Sequence, residues 1–180
     1  MDTLIARPEE GTYPHYYANY YKWVEFNQPI LELWQYAIQD SLEFWNGINA
    51  EEAEFRYEEG KWSIKEMLLH ICDTERIFIF RALSISRGEQ ADLPGFDHNA
   101  YVQASGAEQR DWLSILQEYQ HIKQMSYDFI ASLSAEQWSL KGQVAGQEIA
   151  LSGIAYVIPG HDKHHQEIVK NRYLSKIRNS

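Results

Sequence analysis

Apolar residues recur along this chain at intervals of three and four, in four blocks separated by polar or glycine-bearing stretches. That period is the signature of helices with one buried face. The first block follows Pro29, which suits an opening helical turn. It carries Ile30, Leu31, Leu33, Trp34, Ala37, Ile38, Leu42 and Trp45 before Gly47. The second opens at Ser63-Ile64-Lys65-Glu66, a serine cap with a glutamate three residues on that reaches back. It runs to about Arg87 with Gly88 as its stop, and its apolar face takes Ile64, Met67, Leu68, Ile71, Ile77, Phe78, Phe80, Ala82 and Leu83. The third covers residues 107–133, with Trp112, Leu113, Ile115, Leu116, Tyr119, Ile122, Met125, Phe129, Ile130 and Leu133 in phase. The fourth begins near Ser152 and continues to about Tyr173. Pro159 inside it removes one backbone hydrogen bond, which predicts a kink just before His161.

The connections differ in character. Residues 1–27 hold Tyr13, Tyr16, Tyr17, Tyr20 and Tyr21 among Pro8, Gly11 and Pro14. They read as an arm over the bundle with phenols bonded at its rim, or as an arm that lends one tyrosine to a pocket. The acidic stretch Glu51-Glu52-Ala53-Glu54 through Gly60 reads as a solvated loop or short helix. Residues 88–106 are long enough for a functional loop with room for a helical turn. Residues 134–148, with Gly142 and Gly146, form a turn region. No stretch is a convincing strand and no repeat is present. The expected fold is therefore all-α, a four-helix bundle formed by residues 1–180 as a single domain.

Composition narrows the function. The 180 residues carry a net charge of −10 with pI near 5.1, which argues against nucleic acid as a partner. Cys72 stands alone, so no internal disulfide framework exists and a reducing compartment is expected. Residues 1–8 lack the apolar core of a signal peptide, and no window approaches a membrane span. A cytoplasmic protein with no membrane partner is expected.

The candidate chemistry lies in Gly160-His161-Asp162-Lys163-His164-His165-Gln166-Glu167-Ile168, which puts three of the seven histidines into five residues of the fourth helix. His161 and His165, four apart, stack on one face and can aim at a common point. His164 lies about 60° round from His161, so the wheel alone leaves it open as the partner. The best third ligand is His70, which shares a face of the second helix with Met67, Thr74, Ile77 and Arg81. Three histidines suit zinc, nickel or iron(II) and leave a coordination position open. No glutamate lies between His161 and His165, so the zincin metalloprotease motif is absent. Cys72 lies about 160° round from His70 and cannot share such a metal. Asp73 is the one member of Asp73-Thr74-Glu75-Arg76 expected to back His70; the others read as ion pairs along the helix. Thr74, Arg81, Asp97 and His98 are candidate substrate contacts, while His121 falls outside the third stripe.

Several segments together carry a resemblance. They are Gly11-Thr12-Tyr13-x-x-Tyr16-Tyr17, Gly60-Lys61-Trp62-Ser63-Ile64-Lys65-Glu66, His70-Ile71-x-Asp73-Thr74-Glu75-Arg76, Arg81-Ala82-Leu83, Leu93-Pro94-Gly95-Phe96-Asp97 and Gly160-His161-x-x-His164-His165. Over nearly its whole length the chain resembles the DinB-like superfamily of metal-binding four-helix bundles, with its YfiT-type and thiol-dependent S-transferase branches. The resemblance implies an up-down-down-up bundle with a long crossover and a metal triad at His70, His161 and His165. It also implies a homodimer and a divalent metal, zinc or nickel first, iron or manganese next. The activity it implies is that of a metal-dependent enzyme on a small-molecule substrate. That enzyme would be a thiol-cofactor S-transferase using a low-molecular-weight thiol, or a related hydrolase or isomerase. The alternative is a non-catalytic metal-binding stress-response or sensor protein.

Overall fold

The computed structural model describes residues 4–178, so the first three residues of the expected arm lie outside the described residues. In chain order the helices are α1 (Ala18–Tyr21), α2 (Ile30–Asn46), α3 (Ala50–Ala53), α4 (Ile64–Ser86), α5 (His98–Ala104), α6 (Trp112–Ala131), α7 (Leu151–Ile168) and α8 (Ser175–Ile177). Between α7 and α8 the chain widens into a π-helix over Val169–Leu174. The cap expected for α4 is present: the Glu66 N–H donates to Ser63 Oγ at 3.1 Å, and the Ser63 N–H donates to Glu66 Oε2 at 2.6 Å. Gly88 follows α4 with φ +82°, where a side chain would be strained.

α2, α4, α6 and α7 form the bundle, in which α4 lies against both α6 and α7, and α2 lies against the same two. Two buried apolar clusters fix the directions. One gathers Ile30 and Trp34 from the start of α2 and Ile154 and Val157 from the start of α7, with Phe78 and Ile85 from the end of α4 and Ile130 from the end of α6. The other gathers Trp45 at the end of α2, Ile64 and Leu68 at the start of α4, Trp112 and Ile115 at the start of α6, and Val169 and Tyr173 beyond α7. Thus α2 and α7 run one way and α4 and α6 the other, the up-down-down-up order. Between the clusters lies a buried polar belt: Ser41, Thr74, Glu75, Lys123, Ser126, His161, Asp162 and His165.

The absence of strands was a wrong expectation. β1 (Asp92–Leu93), β2 (Lys141–Val144) and β3 (Gln147–Ala150) make a small sheet in that order, with β1 parallel to β2 and β2 antiparallel to β3. Strands of two and four residues offer too few alternations to register in sequence. Their hairpin turns through Ala145 and Gly146, at φ 51° and 75°, the left-handed pair that suits a two-residue turn. The Gly146 N–H donates to the Asp92 carboxylate and the Ala145 N–H to the Leu93 carbonyl, fixing the hairpin tip to the loop after α4.

Other boundaries and faces shift as well. α6 starts at Trp112; residues 107–109 make a separate 3-10 turn after Gly106, and Arg110 is extended. Phe80 and Leu83 of α4 and Leu113 and Met125 of α6 face solvent rather than the core, and on α6 the buried Lys123 and Ser126 take part of the inner face. Tyr17 and Tyr21 are fully buried in the core rather than bonded at a rim. Pro159 does not end α7, which continues to Ile168. The carbonyl left without its backbone donor by Pro159 belongs to Ala155, and the Trp34 indole N–H donates to it at 2.9 Å.

Candidate metal centre

His70 reaches the centre from α4, and His161 and His165 reach it from α7. The i, i+4 spacing stacks the α7 pair, and the antiparallel crossing brings His70 opposite. His161 Nε2 lies 3.0 Å from His165 Nε2 and 3.2 Å from His70 Nε2. All three ligand atoms lie within 4.8 Å of one another, and all three residues are buried. One ring nitrogen carries either one proton or one lone pair, so His161 Nε2 cannot make good hydrogen bonds to both neighbours. Two imidazoles on a tetrahedral metal with bonds of 2.0–2.1 Å stand about 3.3 Å apart. The observed spacing fits a shared divalent ion better than a hydrogen-bonded trio.

The protonation states agree with that fit. Burial, with a smaller contribution from His98, lowers His70 to a pKa of about 3. Burial and then the neighbouring histidines push His161 and His165 well below their ordinary value. Neutral imidazole is the form that ligates. Thr74 Oγ1 sits 3.4 Å from His70 Nδ1, where it can hold the tautomer that leaves Nε2 free. His165 Nδ1 is buried without a partner, so this ring has no such support.

An aromatic wall surrounds the imidazoles. Tyr20 packs edge-on to His161 at 5.1 Å, Trp62 lies 4.9 Å from His70, and Phe78 lies 6.1 Å from His161. Gly160 permits the first contact: a Cβ there would meet the Tyr20 carbonyl oxygen at 2.5 Å and its carbon at 2.9 Å. Above the histidines opens a cavity of about 500 Å³, lined also by Tyr16, Thr74, Arg81, Phe96, His98 and the hairpin tip.

On another face of α7, a buried ionic network crosses the belt. Lys123 Nζ lies 2.5 Å from Glu75 Oε2 and 2.7 Å from Asp162 Oδ2. Asp162 also accepts from Tyr119 Oη (2.5 Å), Trp45 Nε1 (3.3 Å) and Gln166 Nε2 (3.2 Å). All four bundle helices meet in this network. Burial works against the Lys123 charge, but the two carboxylates outweigh it and hold the ammonium above its usual value.

Of the residues singled out in sequence, His70, His161 and His165 converge. His164 does not join them; it is half-buried against Tyr20 at 5.4 Å. Asp73 pairs with Arg76 at 3.1 Å, and the residue that backs His70 is Thr74 instead. Asp97 caps α5 through the Asn99 and Ala100 N–H groups. His98 is exposed at the cavity rim, with its ring 5.9 Å from that of His70. Cys72 is buried apart from the site and His121 is exposed. The arm does lend tyrosines to the pocket, Tyr16 and Tyr20, while sequence reasoning missed Trp62 and the Glu75–Lys123–Asp162 network. The network had a signal: Tyr119, Lys123, Ser126 and Ile130 follow helical spacing, so a lysine was bound to face inward.

Fold and site together define a helical bundle with a three-histidine centre opening into a cavity. Residues 33–169 match the sequence profile of the DinB superfamily, and the chain belongs to that family. No curated protein sequence is significantly similar to the chain. Among solved structures it is similar to YfiT from Bacillus subtilis, described as a probable metal-dependent hydrolase with an unusual four-helix bundle topology. The two share 14% identity with a TM-score of 0.69, over 96% of this chain and 93% of that one. At that identity the likeness speaks for the fold. No described helix is long and apolar enough to cross a membrane.

Proposed function

We propose that this protein is a metal-dependent hydrolase of a small electrophilic substrate, with His70, His161 and His165 holding a divalent ion, zinc or nickel first. The observation that carries the reading is the convergence of three buried imidazole nitrogens on the wall of a cavity of about 500 Å³. Three protein ligands beside open space leave a position for water or substrate, as catalytic centres do. What such an ion supplies when bound is Lewis acidity, which readies a nucleophile at neutral pH or polarises a carbonyl. The chain supplies the rest. Thr74 orients His70, the rings of Tyr20, Trp62 and Phe78 keep bulk water from the imidazoles, and the hairpin tip closes one side of the cavity. Water is placed first as the nucleophile because YfiT, which shares the fold, is described as a probable metal-dependent hydrolase. A low-molecular-weight thiol in place of water would make the same centre an S-transferase.

An ion that only stiffened the bundle would need no cavity, and the cavity favours catalysis over a sensor or stress-response role. The test is the metal content of protein purified without a histidine tag, wild type beside His161→Ala, followed by assays against ester, amide and thiol-acceptor panels. About one zinc, nickel or iron per chain, lost in the variant, is expected. No stoichiometric metal after reconstitution would overturn the reading.

A further inference from the structure

Arg81 lies on the same stripe of α4 as His70, Thr74 and Phe78, and lines the same cavity. It is 3% exposed. Among the described residues it makes no ion pair. Its Nη2 donates to the Pro94 carbonyl at 2.9 Å, while its buried Nε–H has no partner. Tyr17, whose ring packs edge-on against Phe78, also has a buried hydroxyl without a partner. A buried guanidinium N–H left without a partner is costly unless something anionic meets it. The glutamate of the neighbouring belt is already taken by Lys123, so the protein itself provides no such anion here.

We infer that Arg81 is the anchor for a carboxylate on the ligand of this cavity, at the end away from the three histidines. This rests on the reading of the cavity as a substrate site and names the substrate class: a small molecule with a carboxylate at one end and an electrophilic centre at the other. Residues 70 and 81 are eleven apart, about 20° round and about 16 Å along the helix axis. Helical side chains lean toward the N-terminus, and because arginine is longer than histidine the lean carries the Arg81 head further toward His70 than the imidazole moves away. A carboxylate fits better than a phosphate for two reasons. The cavity lining holds no lysine and no second arginine to balance a dianion. The guanidinium carbon stands 5.8 Å from the Phe78 ring centroid and 5.9 Å from that of Phe96, apolar surroundings that suit a single charge carried by two oxygens in the plane of the fork.

The test uses hexanoate, its neutral isostere hexanamide and hexylphosphonate as probes, read by calorimetry and by the 15N-resolved Nε–H signal of Arg81. Both wild type and His161→Ala are titrated, because a carboxylate could also be held by a metal. The expected result is hexanoate binding about tenfold to a hundredfold tighter than hexanamide, the range for a hydrogen bond to a charged group. The Arg81 Nε–H signal should move on saturation in both proteins, since the anchor does not depend on the ion. Arg81→Met should erase the preference while keeping hexanamide affinity, and Arg81→Lys should keep part of it. Equal affinities, or an unmoved Nε–H signal in wild type, would overturn the assignment even if Arg81→Met failed to fold. Tighter binding of hexylphosphonate would overturn the carboxylate class. Wild type without stoichiometric metal but with the Arg81 response intact would sink the metal reading alone, and wild type with stoichiometric metal but no Arg81 response would sink the anchor alone.

Discussion

Substituting Lys123 by methionine tests the buried belt most directly. Methionine keeps the length of the side chain and removes the charge. Glu75 and Asp162 then stay buried, 2% and 3% exposed, without the ammonium that both contact. Asp162 retains Tyr119, Trp45 and Gln166 as donors, but Glu75 Oε1 already lacks a partner and Oε2 would lose Lys123. Breaking a buried ion pair by removing one member costs about 3–5 kcal/mol. A domain is stable by about 5–15 kcal/mol, so Lys123→Met should surrender about a fifth of the total or more. The assay is urea unfolding of metal-free protein, so that metal binding does not shift the equilibrium. At a slope of about 2 kcal/mol/M the midpoint should drop by roughly 2 M with the slope unchanged. Glu75→Gln should also be less harmful in the Lys123→Met background than in wild type. A loss below about 1 kcal/mol would refute the reasoning, since the belt would then have to be solvated.

Three further outcomes follow from the geometry. Gly160→Ala places a methyl 2.5 Å from the Tyr20 carbonyl oxygen. It should cost about 1–3 kcal/mol and weaken metal retention by moving Tyr20 off His161, as thermal unfolding and metal analysis would show. Trp34→Phe removes the donor to Ala155 and should cost about 1 kcal/mol. Pro159→Ala supplies a backbone donor to the same carbonyl, so a double-mutant cycle should show the two changes coupled. The third concerns pH. His70, His161 and His165 have folded pKa values depressed by burial, His70 to about 3. The unfolded chain therefore binds more protons, and the metal-free protein should lose stability steadily as pH falls from about 6.5 toward 3. A flat denaturant midpoint across that window would contradict the burial of the neutral imidazoles.

The sequence by itself determined the four long helices, because a 3.6-residue period sustained over five or six turns dictates helix and buried face together. It determined the ligand spacing on α7, since residues four apart must stack, and the cap at Ser63, since Glu66 stands three residues on. It could not decide which of His164 and His165 turns inward, because both lie within one broad face of the wheel. The crossing of α4 against α7 decided that, by bringing His70 opposite the stripe of His161 and His165. The sheet was likewise a tertiary matter: strands of two and four residues exist through the partners that the ends of α4 and α6 bring together. Tyr20 and Trp62 became part of the site because Gly160 lets the arm approach α7 and because Trp62 stands one residue before the cap of α4. Lys123, Glu75 and Asp162 lie on three different helices, far apart in the chain, and only packing shows that each buried charge has its complement. The unpaired Nε–H of Arg81 is the counterpart. Packing shows that no carboxylate of the described residues pairs with this guanidinium, because the fold leaves a cavity where a partner would stand.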